Sequence, residues 1–250
     1  AEMEYGTCAA AAGGGHLEIV KWARENGCVG ELDICSSAAR GGHLEVLKWA
    51  FENGCRLPPV PGRRVSTCQT IYILAAEGGN LEMLKWLREK GYFWDSQVTS
   101  AAASKGHFEM LKWAKQNGCP LDSSSTKLCT DAARQGHFEM LKWARENGCS
   151  WDQETCQAAA KHQQIEILNW LIKNGCPFSE KNICFNASCD GHLKMLKWGR
   201  EHGCPWDHRI CAKASERGDL VMLKWARENG CDWDSSTCTN AAQHGHFEVL

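Results

Sequence analysis

Three absences narrow this sequence before any motif is read. No apolar run approaches the roughly 20 residues a membrane-crossing helix needs, so direct insertion by such a helix is excluded. Charge of one sign is missing too. Lys plus Arg is 28 and Asp plus Glu is 30, a formal charge of −2, which leaves no electrostatic footprint for nucleic acid or an anionic membrane. The third absence is catalytic. There is no phosphate-cradling Gly-rich loop, no Gly-x-Ser-x-Gly elbow and no His-Glu-x-x-His, so no enzyme, catalytic residue or cofactor is expected. Ala1 to Gly15 shows neither a basic flank nor a long apolar stretch, and no signal peptide is legible there. What the 250 residues do hold is 43% hydrophobic and 23% charged, the balance of a folded chain, with 16 Cys, 12 Trp and 24 Gly. Their spacing carries the rest.

The chain repeats itself. The second position of a Gly-His-Leu or Gly-His-Phe marker falls at His16, His43, Asn80, His107, His137, Gln164, His192, Asp219 and His246, at spacings of 27, 37, 27, 30, 27, 28, 27 and 27. Numbering each repeat from that position, Trp stands at +6 and Gly at +11 in all eight repeats that reach so far, from Trp22 and Gly27 to Trp225 and Gly230. Apolar residues at +1, +3, +4 and +7 form a helical stripe, not a strand alternation. A second helix therefore runs from the marker to about +10, and the Gly at +11 fits a left-handed stop. A first helix covers about −10 to −2, with Asp152, Asp207 and Asp234 as N-caps. Gly at −1, replaced once by Gln163, turns one helix into the next.

Helix pairs are expected at about 6–27, 33–54, 70–91, 97–118, 127–148, 154–175, 182–203, 209–230 and, incomplete, 236–250. A pair this short cannot bury a core by itself, but stacked neighbours can. The expected fold is an all-α solenoid of about nine repeats in one domain.

The segment Gly42-His-Leu-Glu-Val-Leu-Lys-Trp-Ala-Phe-Glu-Asn-Gly-Cys55 resembles the second helix of the ankyrin repeat. Thr155-Cys-Gln-Ala-Ala-Ala160 resembles its first helix. The ankyrin unit is 33 residues and the common spacing here is 27. The missing six lie where that family carries a β-hairpin finger, so the fingers are expected to shrink to tight loops. The resemblance implies protein–protein interaction through a concave first-helix face.

Cysteine falls at +12 (Cys28, Cys55, Cys119, Cys149, Cys176, Cys204, Cys231) and at −8 (Cys8, Cys35, Cys129, Cys156, Cys184, Cys211, Cys238). The plain reading is a small buried hydrophobe with a free thiol. The other reading is disulfides or metal binding between the two registers, although Cys149 and Cys156 are spaced unlike a zinc site. With no legible signal peptide, a cytoplasmic or other reducing compartment is expected. The marker His residues form a ladder at helix starts, where backbone donors need partners. The Trp files at +6 and +14 are read as packing between repeats.

If the scaffold repeats, partner information lies where repeats differ. Position −6 holds Ser37, Leu74, Asp131, Asn186, Lys213 and Asn240, and position −3 holds Arg40, Glu77, Ser104, Arg134, Lys161 and Glu216. All twelve are expected to face solvent and contact a partner protein. Residues 56–69 form an insertion whose Pro58 and Pro61 with Arg63 match an SH3-ligand spacing. Its Arg63, Arg64 and Ser66 match a basophilic phosphorylation pattern. Leu250 falls at +4, within a second helix, which points to an excerpt from a longer protein. The functional expectation is an adaptor or scaffold, with a permanently held structural subunit as the alternative and a thiol-rich metal or redox module as a distant one.

Overall fold

The computed structural model describes residues 6–28, 31–54, 66–180 and 182–250. Every regular element among them is helical, and no strand occurs. In chain order the helices are α1 Gly6–Gly13, α2 Leu17–Glu25, α3 Glu31–Gly41, α4 Leu44–Glu52, α5 Ser66–Glu77, α6 Leu81–Glu89, α7 Ser96–Ser104, α8 Phe108–Gln116, α9 Lys127–Gln135, α10 Phe138–Glu146, α11 Gln153–Lys161, α12 Ile165–Lys173, α13 Ile183–Asp190, α14 Leu193–Glu201, α15 Arg209–Glu216, α16 Leu220–Glu228 and α17 Ser235–Gln243, then a 3₁₀ turn Phe247–Val249. Helix α5 begins at Ser66, inside the stretch read as an insertion. The side chain of Ser66 and the whole of Pro58, Pro61, Arg63 and Arg64 lie outside the described residues.

Two compact units are present. One holds Ala1–Leu128 with Trp143–Cys149, the other Cys129–Lys142 with Ser150–Leu250. In the first, α1 packs on α3, α3 on α5 and α5 on α7, while each first helix also packs on its own second helix. In the second, α13 packs on α15 and α15 on α17 in the same way. First helices thus stack on first helices, the arrangement that buries a stripe no single pair could cover.

The sequence stripe is the core. In α12, Ile167, Leu168 and Leu171, at +3, +4 and +7, are buried, as are Met222, Leu223 and Ala226 in α16. The helix ends follow the side-chain chemistry. Asn147 Nδ2 donates to the Trp143 carbonyl at 2.9 Å, one turn back. Gly148 then takes φ +80°. Its N–H bonds the Arg145 carbonyl at 3.0 Å and that of Cys149 the Ala144 carbonyl at 3.0 Å, a Schellman closure. Six residues separate α10 from α11, and this shortened link is turn and coil. Asp152 caps α11 through the N–H groups of Glu154 and Thr155. Asp234 caps α17 through Ser236 N–H at 3.0 Å. Asp207 is not the N-cap expected of it: His208 holds that place without a side-chain bond, and Asp207, one residue earlier, accepts from Arg209 N–H at 3.0 Å.

The marker histidines are structural, but not as expected. His43 and His107 cap their helices with no side-chain bond. Each Nε2 instead donates to a carbonyl at the end of the preceding repeat's first helix: His43 to Gly13 at 3.0 Å and His107 to Glu77 at 3.0 Å. They satisfy orphan acceptors of a neighbour, not orphan donors of their own helix. Only Asn80 and Asp219, whose short side chains reach back, cap in the usual way, through Met83 and Met222 N–H. The ring of His43 lies over Gly15, where a Cβ would sit 2.4 Å away at φ +76°. Glycine is required there twice over.

Tryptophan packs between neighbouring repeats, as expected. Trp94 meets Trp113 edge-on at 5.6 Å, and Trp151 meets Trp170 at 5.6 Å. Arg88 and Arg200, at +8, lie over Trp94 and Trp206 at 4.8 and 4.5 Å. Trp22 near the start is 57% exposed, against 4% for Trp198.

Candidate partner-binding face

The variable first-helix positions do not behave as one surface. Leu74 is only 6% exposed and belongs to the core, so it is not a solvent-facing site. Asp131 is equally buried and bonds Arg134 one turn on, at 2.5 Å. Lys213 and Glu216 neutralise each other in the same way at 2.6 Å, and that pairing holds the Glu216 carboxyl below its usual value. Asn240 Nδ2 donates to the Ala212 carbonyl at 3.2 Å, and Ser104 to its own helix at Ala101. Ser37 is half-buried, and Arg40 and Glu77 are exposed. Much of the expected sequence information is therefore spent inside the scaffold.

Two positions differ. Lys161 and Asn186 are both exposed and line one cavity of about 240 Å³ between α11 and α13, with Gln157, Ser179, Asn182 and Asp190. A second space of about 250 Å³ adjoins it, bounded by Lys161, Asn186, Cys189 and Asp190. Among the described residues, no hydrogen bond or ion pair engages the side chain of Gln157, Lys161 or Asn186.

The cause is local and visible in the chain. This repeat is 28 residues long, not 27. The extra residue removes the capping aspartate from its register, putting Glu180 where Asp152, Asp207 and Asp234 stand in other repeats. Asn182 takes the left-handed conformation at φ +67° and makes no side-chain cap. α13 starts late, is eight residues long, and packs only lightly on α11. The sequence signal was the 28-residue spacing together with Gln163-Gln164 in place of Gly-His. The −6 and −3 positions were singled out, but not this junction.

The groove presents three amides, one hydroxyl, one ammonium and one carboxylate. An amide both donates and accepts, which matches a peptide main chain. Lys161 adds a point charge for a carboxylate or carbonyl. Among the described residues no group of three His, Cys, Asp or Glu side chains could hold a metal ion, and no helix is long and apolar enough to cross a membrane.

Most cysteines are buried thiols outside any disulfide, as the plain reading has it: Cys119, Cys129, Cys149, Cys156, Cys176, Cys184, Cys204, Cys211 and Cys231. Burial pushes the Cys119 thiol up to about 12, helped by Asp95, and burial also raises Cys149. The expectation fails at Cys8 and Cys28, which form a disulfide across the two registers. Cys35 is disulfide-bonded as well.

Comparison with known proteins adds the following. The family model for ankyrin repeats in many copies matches residues 72–114, from α5 through most of α8. No curated protein matches the chain. Among solved structures, the crystal structure of the human ASB11 ankyrin repeat domain is similar, with a TM-score of 0.51 at 20% identity. The match covers 68% of this chain and 83% of that one.

Proposed function

Starting from a chain of ankyrin-repeat fold, we propose that it binds another protein along its first-helix face, and that an extended peptide segment of the partner fills the groove between α11 and α13. One observation carries this reading. At the equivalent positions of the next repeat the polar side chains are consumed in the Lys213–Glu216 pair, whereas Lys161, Asn186 and Gln157 surround an open space with their bonding capacity unspent. The partner segment is expected to carry an acidic residue opposite Lys161. We read the protein as a non-enzymatic adaptor or scaffold, because its reactive side chains are spread along the repeats instead of converging. Its buried free thiols fit a reducing compartment such as the cytoplasm.

Selection from a displayed peptide library tests this. Enriched peptides should be acidic at one position and should lose binding at least tenfold to Lys161→Glu with Asn186→Ala. Arg40→Ala with Glu77→Ala should leave binding intact. Equal binding to both double variants would sink the groove, and a structural subunit held through another face would become the better reading.

A further inference from the structure

We propose that the cysteine pairs Cys156–Cys176, Cys184–Cys204 and Cys211–Cys231 are sites of reversible oxidation, each closing a disulfide inside its own repeat as Cys8–Cys28 does. The case rests on register. Each pair joins position −8 to position +12 of one repeat, with the separation of 20 residues found at Cys8–Cys28. At Cys8–Cys28 the Cα atoms stand 6.5 Å apart, within the span of roughly 4.4–6.8 Å that a disulfide bridges. Because the repeats share helix lengths, turns and closures, the same approach recurs. In the repeat of Cys184 and Cys204 the approach is direct, the Cys184 Sγ reaching the Cys204 carbonyl at 3.8 Å. All six are buried, and none of them is in a disulfide.

The surrounding bonds hold the partners in place. Cys176 Sγ donates to the Asp152 carbonyl and Cys231 Sγ to the Asp207 carbonyl, both at 3.2 Å. The +12 thiol thus folds back onto the start of its own first helix, where the −8 thiol sits. The third repeat has Tyr72 and Tyr92 at the same two positions. There the Tyr72 hydroxyl donates to the Tyr92 carbonyl at 3.0 Å. The position joins the two ends of a repeat whichever chemistry fills it.

The reagent class is a small soluble disulfide, RSSR. One cysteine thiolate attacks RSSR, forming a mixed disulfide and expelling RS⁻. The second cysteine thiolate attacks the protein sulfur of that mixed disulfide, closing the Cys–Cys bond and expelling the other RS⁻. The two cysteine protons end on the two released thiolates. Two electrons pass from the cysteines to RSSR, which becomes two RSH. Burial makes local opening of the repeat the entry step, so oxidation is slow, and the closed bond is equally shielded from reductants.

The test incubates the full chain in oxidised and reduced glutathione at graded ratios, alkylates the remaining thiols, digests and maps the linked peptides. Cross-links at these three pairs are expected besides the disulfides of Cys8–Cys28 and of Cys35. A rise in melting temperature that dithiothreitol reverses should accompany them. Cys189, half-exposed, and Cys238, exposed, are internal controls expected to carry only glutathione adducts. In Cys156→Ser with Cys176→Ser, one cross-link should vanish and the other two persist, which separates the chemistry from any folding defect. Pairs that stay reduced while Cys189 and Cys238 react would overturn the proposal. So would glutathione adducts on the pairs themselves, or cross-links between different repeats. None of these outcomes depends on the peptide groove.

Discussion

Helices α13 and α15 occupy equivalent places in successive repeats of one compact unit, yet they present opposite surfaces. Neither helix is capped by the side chain of its N-cap residue, but ahead of α15 Asp207 keeps its register and accepts from Arg209 N–H, and the Lys213 and Glu216 of α15 pair with each other. α13 starts after one extra residue and leaves Asn186 facing unpaired Lys161 across a cavity. One inserted residue changes a closed face into an open one while the core behind it continues. Function in such a scaffold is therefore to be sought where the repeat length breaks, more than where residue types vary.

The largest expected effect tests the shared core. Leu196 in α14 and Leu223 in α16 are both buried, and each Leu→Ala change should cost about 2–5 kcal/mol. Urea unfolding should give similar losses for the two. A marked inequality would mean that the difference between the repeats reaches the core.

Next comes the inserted residue. Deleting Asn182 restores the 27-residue spacing and moves Ser179 to the capping register held elsewhere by aspartate. Stability should rise by roughly 1 kcal/mol, the worth of a good N-cap, and calorimetry would show it. Peptide affinity should fall together with that gain. A deletion that destabilises the chain would disprove the register argument.

A smaller effect separates spent from unspent lysines. Lys161→Ala should weaken an acidic peptide by about 1.5 kcal/mol, the low end for a charged hydrogen bond. Lys213→Ala should leave the peptide unaffected, because that ammonium is engaged by Glu216. Titration calorimetry distinguishes them.

The smallest effect is electrostatic. The Arg209 side chain holds Asp207 below the usual carboxylate value, so the unfolded chain takes up that proton more readily than the folded one. The contribution is complete above about pH 4 and drains away as pH falls through the lower, folded value. Asp207→Asn should flatten the acid slope of the melting temperature slightly, and Asn182→Ala should not.

Much of this architecture was legible because its causes are short-range. A stripe at +3, +4 and +7, glycines at +11 and −1 and aspartates ahead of the first helices act within a turn or two of chain. A sequence with that period shows them directly. The same locality explains the Asp131–Arg134 and Lys213–Glu216 pairs, one helical turn apart, which could have been read as self-satisfied from spacing alone. Leu74 could also have been assigned inward as the one aliphatic side chain among those twelve positions.

The sequence by itself determined the repeat, the paired helices and the two cysteine registers, since each follows from periodicity and steric rules of neighbouring residues. Only the tertiary structure decided that His43 serves the carbonyl of Gly13 and that Lys161 and Asn186 share one groove. Those two facts depend on how one helix pair is offset on the next. That offset is set by summed side-chain packing and by a single residue of loop length, and no local pattern records it.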